Sequence, residues 1–225
     1  MNEIFKKAAL LGDVWVLYLL LAASILSVAV MLDRWRLFRN NAIDFHGFLN
    51  GLKSKLEHGN PEGALAYCTQ FAAMENRIAA IGLQNFSKGA HSVEEAMKSA
   101  LVLERGVFEK NLIVLSTMGN NAPFIGLLGT VLGVIKAFHD LGTAGSAGVS
   151  VVMTGISAAL IATAFGILLA IPAVMANNYF QTRLKRATAN TQSLIHLMQV
   201  YLRAEPKVDF SSTAANSVDG QTYER

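Results

Sequence analysis

Three long stretches of this chain contain no charged residue. They are residues 14–32, 111–135 and 141–182, of 19, 25 and 42 residues. A helix crosses the hydrocarbon core of a bilayer with about 20 apolar residues, so each stretch is long enough to span. Together they cover 86 residues, and all 35 charged side chains fall on the other 139. That remainder is about 25% charged, the usual share for a soluble domain. The pattern describes a water-compatible protein interrupted by three lipid-compatible segments. It excludes an ordinary soluble enzyme, a disordered chain and a collagen-like one.

The flanking charges orient the spans. Residues 33–110 carry ten Lys and Arg, from Arg34, Arg36 and Arg39 to Lys110. Arg183, Lys185 and Arg186 follow the third span, whereas 139–148 carries none. Basic residues stay on the cytoplasmic side, so 33–110 and the C-terminus are expected there. The N-terminus is then external despite Lys6 and Lys7, because Arg34, Arg36 and Arg39 outweigh them. The apolar run of the first span exceeds that of a signal peptide and leads into Asp33-Arg34-Trp35-Arg36 without a clear cleavage site, so it reads as an uncleaved anchor. Trp15, Tyr18 and Trp35 suit interfacial belts. The expected organisation is an external N-terminus (1–13), span one (14–32), a cytoplasmic helical domain (33–110), span two (111–138), an external loop (139–148), span three (149–180), a cytoplasmic helix (181–204) and a disordered tail (205–225).

The fold class is therefore all-α: a polytopic membrane protein with three transmembrane helices. The helices of spans two and three should extend far into the cytoplasm. Phe45, Phe48, Leu49, Leu52 and Leu56 repeat at helical spacing. Asn60-Pro61 reads as an N-cap followed by proline at the first helical position. Ser92 and Glu95 read as a capping box, and no breaker is apparent between it and span two. A single helix over 92–138 is the expectation. Lone Cys68 is read as a small buried apolar residue in a reducing compartment.

No catalytic constellation is present. No Walker lysine follows a glycine-rich stretch, and Gly142, Gly145 and Gly148 suit a mobile external turn. The five histidines are scattered, and Gly155-Ile156-Ser157 lies inside an apolar span. The chain is not expected to be an enzyme or to hold a cofactor or metal, and no nucleic-acid partner is expected.

Spans two and three hold small and hydroxyl residues instead. Gly126, Gly129 and Gly133, and Ala158, Ala162, Gly166 and Ala170, recur at helical spacing and would let backbones approach closely. Pro123 and Pro172 are placed as kinks. If the two spans form a hairpin, Thr130 and Thr163 are offset by five residues, ~7 Å of helix, and sit at similar depth. With Thr154 and Ser157 they outline a weakly polar track. No Asp or Glu lies in any span. Proton relays in membranes usually use such an acid, so a proton-conducting chain of this kind must borrow its carboxylate from a partner. Lys136 reads as a snorkelling residue, and Arg34, Arg36 and Arg39 as topology anchors that also touch anionic lipid.

Pro123-Phe124-Ile125-Gly126-Leu127-Leu128-Gly129-Thr130-Val131-Leu132-Gly133, Gly155 to Gly166 with Ala170-Ile171-Pro172-Ala173, and Leu103-Glu104-Arg105 resemble the ExbB/TolQ/MotA proton-channel family. The three-span layout resembles its ExbB/TolQ branch, since MotA has four spans. The likeness implies a homopentamer in a bacterial inner membrane, with spans two and three lining a pore. It also implies an ExbD/TolR-like single-span partner that supplies a membrane Asp. The work of proton flow would pass to a TonB/TolA-like periplasm-spanning protein. Thr130 and Thr163 match the family's pore threonines. The family commonly carries Glu five residues before the second of these, where this chain has Ala158. A passive solute channel and a non-conducting membrane scaffold are the alternatives that the residues alone leave open.

Overall fold

The computed structural model of the protein describes residues 14–58, 60–144 and 148–203. The expected N-terminal segment and C-terminal tail lie outside the described residues. The described chain is helical throughout, without strands: α1 Val14–Asn40, α2 Phe45–Glu57, α3 Pro61–Cys68, α4 Met74–Gln84, a 3-10 turn Phe86–Lys88, α5 Ala90–Glu109, α6 Leu112–Ala144 and α7 Gly148–Arg203. Three helices, α1, α6 and α7, are long and apolar enough to cross a membrane, with mean hydropathy of 2.4, 1.5 and 2.3 in their most apolar parts. At 56 residues α7 is ~84 Å long, against a hydrocarbon core of ~30 Å. It therefore continues well past any span.

Two compact units divide the chain. The first takes residues up to Ile43 together with Val102–Ala189, and the second takes Asp44–Leu101 together with residues from Asn190 onward. In the first, α1 packs along α6. Val16 and Leu20 of α1 meet Ala122 of α6 and Leu169 and Ala170 of α7 in one buried cluster. A second cluster joins Val30, Leu112, Leu115 and Phe180. Beside it the Phe38 ring stacks on Phe180 and meets Phe108 edge-on, at 5.2 Å in each case. Large apolar side chains nonetheless face outward on this unit, among them Phe124 (69% exposed) and Leu168 (66%). So much outward apolar surface suits lipid or further protein, not water.

The expected single helix over 92–138 is two helices. α5 ends at Glu109 and α6 begins at Leu112, with Asn111 between them at φ 67°. Asparagine tolerates this left-handed conformation better than most residues and ends helices there. Arg34, only 7% exposed, donates to the Val107 carbonyl near that end at 3.1 Å. A cation at a helix C-terminus meets the negative end of the dipole and satisfies a carbonyl without an intrahelical partner. The helical pattern continues through Lys110-Asn111, so periodicity could not reveal the break. The Ser92 capping box does not start a helix either. α5 begins two residues earlier, after Gly89 at φ 88°. The helices on either side of the segment expected as an external loop also reach further than the apolar pattern implies. α6 runs to Ala144 and α7 starts at Gly148, so Gly142 and Gly148 are helical, whereas Gly145 lies outside the described residues.

In the second unit α2, α3 and α4 pack in sequence. Its core holds Phe48, Leu52, Met74, Ile78, Met97, Leu194 and Met198, all buried. Asn60 caps α3 as its sequence suggests, its Oδ1 accepting from the Gly63 N–H at 2.7 Å. Cys68 is a buried free thiol, 1% exposed, and burial pushes its pKa up to about 12.

Candidate functional site

The sequence places its hydroxyl and small residues on α6 and α7, and these two helices meet backbone to backbone. A Cβ on Gly126 would lie 2.8 Å from the Ala162 carbonyl oxygen and 3.0 Å from the Thr163 Cα. One on Gly166 would lie 2.6 Å from the Ala122 carbonyl oxygen. Only residues without side chains permit such an approach. Gly129 sits against Ala162 Cβ and the Val16 side chain of α1. Ala162 and Ala170 are buried, whereas Ala158 is exposed. Pro123 and Pro172 both lie inside continuous helices.

Two of the four candidate hydroxyls bond to their own helix. Thr130 donates to the Leu127 carbonyl at 2.7 Å and Thr154 to the Ser150 carbonyl at 3.0 Å. Such bonds satisfy a hydroxyl in lipid at no cost to packing. Ser157 is exposed. Thr163 differs. Its Oγ1 is buried and has no hydrogen-bond partner among the described residues. Because Gly126 abuts the Thr163 Cα, this hydroxyl sits at the level of closest helix approach.

Towards the ends of α6 and α7 that flank residues 145–147 lies a cavity of about 450 Å³. Lys136 and Asp140 of α6, Thr154 and Ala158 of α7, and Val14 of α1 line it. Ala158 thus shares a cavity with Lys136, Asp140 and Thr154. Asp140 is the only carboxylate on α6, and α7 has none along its 56 residues. No cluster of three or more His, Cys, Asp or Glu that could hold a metal occurs among the described residues.

A profile described as the MotA/TolQ/ExbB proton channel family matches residues 70–193, more than half the chain. This chain belongs to that family. The match takes in α6 and the apolar part of α7, where the threonines and the glycine contact lie. The Tol-Pal system protein TolQ of Pseudomonas aeruginosa is 44% identical over 91 residues, 40% of this chain and 39% of that one. A biopolymer transport protein ExbB of Xanthomonas campestris pv. campestris is 42% identical over 88 residues, 39% of this chain and 35% of that one. These two similarities thus span well under half the relatives' length. A longer one is with the Tol-Pal system protein TolQ of Haemophilus influenzae, 30% identical over 192 residues, which covers 80% of this chain and 84% of that protein. The family is one of membrane proton channels, which agrees with the three spanning helices.

Sequence reasoning missed a polar cluster in the second unit. Glu75 is 3% exposed, and Asn190 donates to its Oε1 at 3.3 Å. Asn76 is fully buried, and its side-chain oxygen and nitrogen have no partner among the described residues. Burial is the first cause that raises the Glu75 pKa, against hydrogen bonds from its backbone and Asn190 and the nearby Arg77 charge. Glu75-Asn76 looks like a solvated pair in sequence, and the packing of the second unit, with Asn190 of α7 against Glu75, buries it.

Proposed function

We propose that this chain is a bacterial inner-membrane proton-channel subunit that acts as a stator. Five copies surround an ExbD/TolR-like partner helix, and proton flow past that helix does work on a TonB/TolA-like periplasm-spanning protein. The N-terminus is external and the C-terminus cytoplasmic, as the distribution of Lys and Arg favours. One observation supports the reading above the rest. The hydroxyl of Thr163 is buried in the spanning region without a partner, in a pair of helices that offer no carboxylate at that depth. A buried hydroxyl without a partner costs about 1–3 kcal/mol. A water or a carboxyl from a second protein recovers that cost. Thr130, Thr154 and Ser157 extend the track on either side.

The partner brings the titrating Asp, and Thr163 hydrates it or bonds to it during transfer. Substituting Thr163→Val is expected to abolish proton-driven work in cells that lack the native gene, while the complex still co-purifies. Thr163→Ser should retain activity. Full activity of the valine variant would remove Thr163 from the pathway. Liposomes holding this chain alone should show negligible proton flux, and substantial flux would favour a passive channel instead.

A further inference from the structure

A small cavity separates α1 from α7 at the end of the spanning region opposite residues 145–147. It measures about 130 Å³ and is lined by Trp35, Phe38, Arg39, Ala42, Tyr179 and Arg183. All six belong to the first unit. We propose that this cavity binds the phosphodiester of an anionic phospholipid, with Arg39 and Arg183 as its two ligands.

The guanidinium of Arg39 lies over the Trp35 ring at 5.2 Å, and that of Arg183 over the Tyr179 ring at 5.5 Å. The Arg183 Nε also donates to the Tyr179 hydroxyl at 3.2 Å. Stacking fixes a guanidinium by its face and leaves its edge donors for an oxyanion. No carboxylate pairs with either arginine among the described residues. The base of the cavity is firm, because Phe38 is held between Phe108 and Phe180.

Position argues for a lipid as the source of the phosphate. Arg39 lies just beyond the charge-free run of α1, and Arg183 is the first charge after the charge-free run of α7. Trp and Tyr beside them mark the level of the headgroups. Basic pockets between spanning helices recognise anionic headgroups. Size points the same way. Pockets that enclose a whole small molecule measure about 300–1,000 Å³. This one takes a phosphodiester whose glycerol and acyl chains remain in the bilayer. It contains no carboxylate to meet the ammonium of a zwitterionic headgroup, which favours a net anionic lipid. The inference is independent of proton conduction and of Thr163.

The test uses the full chain in its native assembly, with bound lipid counted by native mass spectrometry after titration with phosphatidylglycerol or phosphatidylcholine. Phosphatidylglycerol should be retained preferentially. Arg39→Gln and Arg183→Gln should each weaken its retention about fivefold, and the double variant by about 25-fold. Lys185→Gln, which removes an exposed charge outside the cavity, should leave retention unchanged. Equal retention of both lipids, an equal loss with Lys185→Gln, or no loss with the double glutamine variant overturns the proposal. Displacement of lipid by millimolar inorganic phosphate would show a site for a soluble anion and overturns the lipid assignment. If the glutamine variants fail to assemble, the pair Arg39→Lys and Arg183→Lys keeps the charge and removes the planar fork. Retention should then fall to an intermediate level, and unchanged retention counts against the two-arginine site.

Discussion

Gly126 and Gly166 face each other across the α6–α7 contact with no room for a side chain on either. A Cβ on Gly166 would lie 3.1 Å from the Gly126 Cα, and one on Gly126 would lie 3.3 Å from the Gly166 Cα. The neighbouring atoms are backbone, which cannot rotate away. Gly166→Ala should therefore destabilise the protein by about 1–3 kcal/mol, the usual cost of overpacking. Gly106, in the last turn of α5, has nothing within 4 Å of a built Cβ. Gly106→Ala should stabilise by about 0.5–1 kcal/mol, because alanine loses less backbone freedom in a helix. Thermal unfolding in detergent compares the two, and equal effects would contradict the close approach.

Thr163→Val should leave stability unchanged or raise it by up to about 1 kcal/mol, since it removes a buried hydroxyl that has no partner. The same unfolding assay reads this. A marked drop in stability would mean that the hydroxyl is bonded within the chain, and loss of activity could then not be assigned to a proton path.

Asn111 tests the break between α5 and α6. At φ 67° an alanine is strained by about 1–2 kcal/mol, whereas glycine is not. Asn111→Ala should lower the melting temperature, and Asn111→Gly should match or exceed the wild type. Higher melting of the alanine variant than of the glycine variant would argue for one continuous helix, in which glycine is the costlier residue.

The second unit should respond to pH through Glu75. Its pKa is raised in the folded state, so the folded protein holds a proton that the unfolded chain releases. Stability then falls as pH rises from the unfolded value towards the folded one, and the loss is complete above the latter. Glu75→Gln keeps the shape, removes the titration and should flatten that slope in chemical denaturation. A slope unchanged by the substitution would assign the pH dependence to other groups.

Cys68 should resist thiol reagents at pH 8 in the folded protein and react once unfolded. With a pKa of about 12 and 1% exposure it offers almost no accessible thiolate. Rapid labelling under native conditions would show that α3 opens readily.

The sequence by itself determined the helical class, the three spanning helices and the family. Those properties follow from local composition. Charges cannot sit in hydrocarbon, so their gaps mark spans, and α7 confirms the long extension beyond one. The Asn60 cap was legible because capping needs only four consecutive residues. The break at Asn111 was not, since asparagine is compatible with both a helix and its end, and the buried Arg34 that bonds to Val107 near it comes from 73 residues before that valine. Tertiary structure alone decided which hydroxyls are satisfied. Thr130 and Thr163 look alike in sequence, yet one bonds to its own helix and the other is left without a partner where Gly126 presses on its Cα. The same holds for Glu75, which packing removes from water, and for Arg39 and Arg183, which 143 intervening residues separate and one cavity joins. Burial and partnership are properties of distance in space, and spacing along a chain reports them only within one helix.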